Sequence, residues 1–348
     1  MRRQVTLRKK RCYMQKDFVP QKIFLEKAAQ EYDQTEELIE KYPNVPVFFI
    51  EQHHKIDQLR SQPLSAFPSL KKYLVIGVRK SLTYVKNQKT SDYLVPYTSS
   101  GCSGMCLYCY LVCNFFQCSY LRVFVNRQQM MDKLIRTAQK SEKHLTLEIG
   151  SNSDLVLENT VTGNLEWTIE QFAPVSNAQL TLPTKFHMVK PLLGLKHSGN
   201  VTIRMSLNPD LLISRVELGT SSLSQRLQAL IHLYEVGYPV GILIAPVMMV
   251  EGYEELYKGL MQTISDVLPE RMKRGLCVEI IFMTYGVAQN QINRQAFPNA
   301  YPIFDPKMMK TCGRGKYRYK SEYFEQGEKY LVELVKYYLP QCHIAYVC

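Results

Sequence analysis

The 348-residue chain holds no apolar run long enough to cross a bilayer. Its longest, Val240 to Val250, falls well short of the about 20 residues that a spanning helix needs. The opening residues, Met1, Arg2, Arg3, Gln4 and Val5, form no apolar leader. With ten cysteines in the chain, that points to a soluble protein of the reducing cytoplasm, where thiols bind metal or lie buried. No repeat of fixed period and no low-complexity tract is present, which excludes an array of stacked units. Acidic residues are in deficit: 31 Asp and Glu against 43 Lys and Arg leave a formal charge of +12. Such a balance favours polyanionic partners through a long-range, salt-sensitive attraction, but charge alone names none. The length suffices for one large α/β barrel or two ordinary domains and for a substantial core, so covalent staples are not required.

Against these absences stands one dense stretch, residues 98–110, with three thiols at Cys102, Cys106 and Cys109, glycines at 101 and 104, and Tyr108 and Tyr110. Spacings of x3 and then x2 can set three sulfurs on one side of a short loop, which suits three irons of a cubane cluster. Cluster ligation usually takes four thiolates, so a set of three implies an iron left open for a small molecule. The same loop also reads as a zinc knot if a fourth ligand lies nearby, and Cys113 or Cys118 would supply it. Spacing does not separate the two readings.

Along the chain, Arg2, Arg3, Arg8, Lys9, Lys10 and Arg11 read as a solvated basic tail. Residues 22–26, 45–50 and 73–78 read as strands and 27–41 as a polar helix, an N-terminal α/β extension over residues 1–91. Residues 86–92 read as a connector. From 93–97 onward, strands are expected at 121–125, 144–149, 179–182, 201–207, 240–246 and 277–283, with helices at 127–141, 224–237 and 253–267. Serial βα units with apolar strands predict a parallel sheet covered by helices: a partial (β/α)6 barrel of the TIM type over residues 92–348. In such folds functional groups gather at the C-terminal strand ends. That places Cys102, residues 151–154, Lys185, Ser206, Asn208 and Ala245 on one rim. Alternation about Gly313 and Gly315 predicts a basic, aromatic hairpin over 310–319, followed by a helix at 322–338 and a strand at 343–347.

The cysteine loop resembles that of the radical S-adenosylmethionine (AdoMet) superfamily, in which a CxxxCxxC loop holds a 4Fe-4S cluster whose open iron chelates the amino and carboxylate groups of AdoMet. A longer ordered set is similar to the spore photoproduct lyase family: Phe18 to Pro20, Leu74 to Arg79, Cys106 to Leu111, Tyr120 to Asn126, Thr184 to His187, Lys196 to Asn200, Glu235 to Pro239, Ala245 with Pro246, and Gly315 to Tyr317. The resemblance implies a carbon–carbon lyase that repairs DNA. A 5′-deoxyadenosyl radical would take a hydrogen from 5-thyminyl-5,6-dihydrothymine, the methylene cross-link would fragment, and a returned hydrogen would yield two thymines with AdoMet regenerated. It implies Cys102, Cys106 and Cys109 as cluster ligands, and Ser153, Lys185, Ser206, Asn208 and Ala245 at AdoMet. Tyr108 and Tyr110 would return hydrogen, and Arg314, Lys316 and Tyr317 would meet DNA. The implied partners are DNA carrying the lesion and a low-potential electron donor such as ferredoxin or flavodoxin, with the chain acting as a monomer and without a membrane.

The chain departs from the family pattern in two places. Ser151 stands where many members carry a cysteine hydrogen donor, and a serine O–H bond is too strong to give a hydrogen atom to a carbon radical. Cys312, in the expected hairpin, is the leading replacement, followed by Cys113 and Cys118. Thr311 and Cys312 stand where an Arg-Tyr pair often wedges into the duplex, and unstacking a lesion costs a few kcal/mol. These departures leave room for a radical AdoMet enzyme of the same frame acting on another nucleic-acid or small-molecule substrate. A non-enzymatic, zinc-bound nucleic-acid module is the reading from a different class.

Overall fold

The computed structural model describes residues 18–114 and 120–348. The basic N-terminal run, Cys12, Cys118 and the side chain of Cys113 lie outside the described residues. Among those described, no helix is long and apolar enough to cross a membrane.

Two sheets are built from alternating apolar sequence. The smaller has five strands in the order Val47–Ile50, Lys22–Glu26, Tyr73–Gly77, Leu121–Phe124, Ser99–Ser100, parallel throughout except for the last pair. Ile23, Leu25, Leu74, Ile76, Leu121 and Val123 point to one face, where Leu38 and Tyr42 cover them. Phe24 and Val75 point to the other, against Phe67 and Leu70. The period of two in the sequence thus becomes two buried faces. The helix expected at 27–41 is broken: a 3-10 turn at Lys27–Glu31 gives way to Asp33–Lys41 because Tyr32 between them is extended, with φ −107° and ψ 130°.

The larger sheet is a curled half-barrel. Six parallel strands run in order, Tyr93–Val95, Leu145–Ile149, Ala178–Thr184, Val201–Leu207, Val240–Val247 and Cys277–Phe282. His343–Val347 extends one edge in parallel and Val85–Lys86 the other in antiparallel. Strand 201–207 shows why its two faces differ. Val201, Ile203, Met205 and Leu207 are fully buried under the outer helices, whereas Thr202, Arg204 and Ser206 face the lumen. Arg204 spans the lumen floor to Glu148 at 2.7 Å and Glu279 at 2.8 Å. Helix Leu223–Glu235 starts with a capping box between Ser222 and Gln225, of the kind whose cap residue contributes about 0.5–2 kcal/mol.

One strand is not where the series puts it. Leu121–Phe124, expected as the barrel's second strand, pairs with Tyr73–Gly77 in the smaller sheet. All four of its residues are buried, and a strand covered on both faces carries no alternation to say which sheet it joins. The smaller sheet therefore draws strands from both sides of residue 92, and two of them, Ser99–Ser100 and Leu121–Phe124, flank the cysteine loop.

Candidate active site

A cavity of about 300 Å³ opens at the C-terminal ends of the barrel strands. Cys102, Cys106, Cys109, Tyr108, Tyr110, Ser151, Ser153, Lys185, Ser206 and Ala245 all line it. The loop that brings the thiols there is tied on two sides. Gly101, at φ 71°, turns the chain so that its N–H reaches Asn152 O at 2.7 Å and its carbonyl accepts Ser153 Oγ at 2.8 Å. On the far side Met105–Cys106 pairs antiparallel with Glu217–Leu218, and Leu107 N donates to Val216 O at 2.9 Å.

Burial pushes the Cys102 and Cys106 thiols up, and the charge of neighbouring cysteines pushes the same way. These two thiols stay protonated unless cations offset the charge of the thiolates, which is what iron ligation supplies. No group of three or more His, Cys, Asp or Glu among the described residues is gathered as a site for one ion; thiolates on separate irons of a cubane stand wider apart than ligands of a single ion. The one carboxylate on the cavity wall, Asp154, is engaged elsewhere. It caps helix Leu155–Thr162 through Leu157 N and accepts Thr184 Oγ1 at 2.8 Å and Lys185 N at 2.9 Å. The donor set therefore fits a three-thiolate cluster.

Lys185, placed by that backbone bond to Asp154, sends Nζ to Ser206 Oγ, to Ala245 O at 2.7 Å and to Glu217 Oε1 at 3.0 Å. Ser206 Oγ also donates to Ala245 O at 2.8 Å, and the Ala245-Pro246 peptide is cis. The Ser153 hydroxyl accepts from Ser99 Oγ at 2.7 Å. Asn208 is fully buried behind the cavity wall, donating to Glu217 Oε1 at 2.9 Å and accepting Tyr257 Oη at 3.1 Å. The Tyr110 hydroxyl donates to Ser151 O, and the Tyr108 hydroxyl donates to Glu217 Oε1.

A family model described as spore photoproduct lyase matches residues 18–348. The chain belongs to the spore photoproduct lyase family. It is 30% identical over 342 residues to the spore photoproduct lyase of Bacillus subtilis (strain 168), covering 96% of this chain and 99% of that protein. To the spore photoproduct lyase of Geobacillus sp. (strain Y412MC61) it is 28% identical over 340 residues, 95% of this chain and 99% of the other. A solved spore photoproduct lyase complexed with dinucleoside spore photoproduct superposes with a TM-score of 0.88 at 27% identity, covering 96% of this chain and all of that one. A variant of spore photoproduct lyase with bound AdoMet and dinucleoside spore photoproduct superposes equally well, at 0.88.

In this lyase-family frame the hairpin forms from Met309–Gly313 and Lys316–Tyr319, with positive φ at Gly313, Arg314 and Gly315. Its second strand pairs with Tyr285–Gly286, next to the cavity residue Thr284. Arg314 and Lys316 are exposed, while Tyr317 packs its ring on Phe304 at 4.9 Å. Cys312 is exposed on the first strand and outside the cavity wall.

Glu217 and Arg226 escaped the sequence reading. Glu217 is buried, and although burial pushes its carboxyl up, the charges of Lys185 and Arg226 and the bonds from Tyr108 and Asn208 outweigh it and hold the pKa at about 2. A glutamate just past a short helix reads as a surface residue, and the partner Tyr108 lies 109 positions away. The only hint in the chain is the Gly219-Thr220 turn that follows it.

Proposed function

We propose that this chain repairs the spore photoproduct in DNA, opening the thymine–thymine cross-link to two thymines by radical AdoMet chemistry. The observation that carries the reading is the cavity wall, where three thiols meet a lysine ammonium at the strand ends and no fourth ligand is offered by the described residues, in a chain that matches the lyase family over nearly its full length. Cys102, Cys106 and Cys109 would hold a 4Fe-4S cluster, with AdoMet beside it. When bound, the pair supplies a 5′-deoxyadenosyl radical through an electron from a donor such as ferredoxin or flavodoxin.

The chain's own residues bind, orient and return hydrogen. Lys185 attracts the AdoMet carboxylate, with Ser206 and the Ala245 carbonyl setting its direction. Ser153 clamps the cysteine loop through Gly101, and Asn208 supports Glu217 from behind. Cys312 stands outside the cavity wall and Ser151 cannot give a hydrogen atom; among the described side chains that line the cavity, this reading gives hydrogen return to the tyrosines. Tyr110, bonded to the Ser151 carbonyl at the cavity, gives its hydroxyl hydrogen atom to the methylene radical left on one thymine. Its phenoxyl radical is restored by the hydrogen first taken from the lesion, passed back through Tyr108. Arg314 and Lys316 on the hairpin meet DNA phosphates, and Tyr317 braces the strand that carries them. The chain acts as a cytoplasmic monomer.

Anaerobic reconstitution followed by assay on the lesion-containing dinucleotide tests this. A brown protein that converts the lesion to thymine product is expected. A colourless protein that carries zinc overturns the reading. A protein that splits AdoMet and leaves the lesion intact favours a different substrate on the same frame, for which Ser151 and Thr311 with Cys312 are the observations.

A further inference from the structure

One buried carboxylate joins the parts of this site. Glu217 accepts the Tyr108 hydroxyl, Lys185 Nζ at 3.0 Å and Asn208 Nδ2 at 2.9 Å on Oε1, and Arg226 Nη2 at 2.6 Å on Oε2. Its own backbone is the strand that pairs with Met105–Cys106. Every side-chain partner is a donor, so an amide in its place would turn an NH2 group against another donor whichever way it faced. Arg226 is fully buried and is fixed in turn by the carbonyls of Ser206 at 2.8 Å and Ser221 at 2.9 Å. Two cations around one anion leave a single positive charge, the sign that an incoming carboxylate requires. Were Arg226 absent, Glu217 would cancel Lys185 instead.

We propose that Glu217 is a positioning residue for both ends of the reaction: it fixes Lys185 where the AdoMet carboxylate binds, and it holds the Tyr108 hydroxyl in line for hydrogen return. The inference rests on the reading that this cavity holds AdoMet and that Tyr108 takes part in that return. A residue that merely stabilised the loop would weaken all functions together. Glu217 instead predicts a split between two measurable quantities, because its two ligands serve different steps.

The test compares wild type, Glu217→Gln, Tyr108→Phe and the double variant, each reconstituted anaerobically. Equilibrium dialysis reads AdoMet affinity, and product analysis reads 5′-deoxyadenosine released per lesion repaired. Glu217→Gln weakens AdoMet binding about tenfold, the order of one hydrogen bond to a charged group, and Tyr108→Phe leaves it within about twofold. Both single variants release more 5′-deoxyadenosine per repair, and the double variant releases no more than the worse single one. Wild-type affinity together with wild-type release in Glu217→Gln overturns the inference, as does multiplication of the two release effects. Should Glu217→Gln fail to fold, Glu217→Asp keeps the charge beside Arg226 while its shorter side chain loses the Tyr108 hydroxyl, and raised release is again expected. If the wild type binds and splits AdoMet but repairs no lesion, the functional reading fails and the tyrosine half of the inference with it. The binding measurement still judges the Lys185 half.

Discussion

His53 packs edge-on against Phe124, with ring centroids 5.0 Å apart, and neither ring nitrogen has a hydrogen-bond partner. Burial, then the positive charges of Arg122, His54, Arg79 and Lys80, lower its pKa to about 3, whereas an imidazole in the unfolded chain titrates near about 6.5. Below that value the unfolded chain takes a proton that the fold refuses. His53 therefore costs no stability above pH 6.5 or so, and the loss grows as pH falls toward 3. Between pH 7 and pH 5 these two values give a loss of about 2 kcal/mol. Phenylalanine has a similar shape for the same apolar neighbour and no proton to take. Urea unfolding of cluster-free protein at both pH values, for wild type and His53→Phe, should show the variant losing about 2 kcal/mol less. Equal losses in the two proteins would refute the reasoning, because the ring would then be protonated or solvated within the fold.

Arg226→Met leaves the Glu217 carboxylate without its Oε2 partner and should cost about 3–5 kcal/mol in urea unfolding, as for other buried pairs broken on one side; a cost under about 1 kcal/mol would show that water replaces the guanidinium. Gly327 lies inside helix Ser321–Tyr338, where alanine would normally gain up to about 1 kcal/mol. Here a Cβ would stand 2.8 Å from Phe282 Cε1 and 3.2 Å from Met249 Cε, so Gly327→Ala should lower the melting temperature through overpacking worth about 1–3 kcal/mol. Tyr110→Phe should leave trapped adducts and less thymine product on the dinucleotide lesion, while Cys312→Ala leaves product yields unchanged; the reverse pattern would move the hydrogen donor to the hairpin.

The barrel was legible because apolar strands alternate in series with helical patterns: strands 201–207 and 343–347 have the bounds expected of them, and helix Tyr253–Val267 likewise. The hairpin was legible from Gly313 and Gly315. Strand Leu121–Phe124 was legible as a strand and not in its pairing, because a segment buried on both faces has no polar side to orient it. The cavity wall follows from the rule that strand ends share a rim, which gathers Cys102, Ser153, Lys185, Ser206 and Ala245. Asn208 follows the same rule yet turns away from the cavity into the Glu217 cluster. Glu217 and Arg226 could not be found this way: charge inside a core is stable only through partners, and two of the partners of Glu217, Tyr108 and Lys185, stand 109 and 32 positions away in the chain.

Strand Leu121–Phe124, joined to Ser99–Ser100 on one side and to Tyr73–Gly77 on the other, gives the described residues before position 92 a duty that their place in the chain conceals. The thiol-bearing segment leaves the small sheet at one margin and returns to it at the next, so whatever loosens that sheet slackens the segment at both attachments. A shortened chain begun at residue 92 would keep Cys102, Cys106 and Cys109 and lose the surface to which the segment is moored. Its defect would be expected in iron retention before any fault in the barrel became visible.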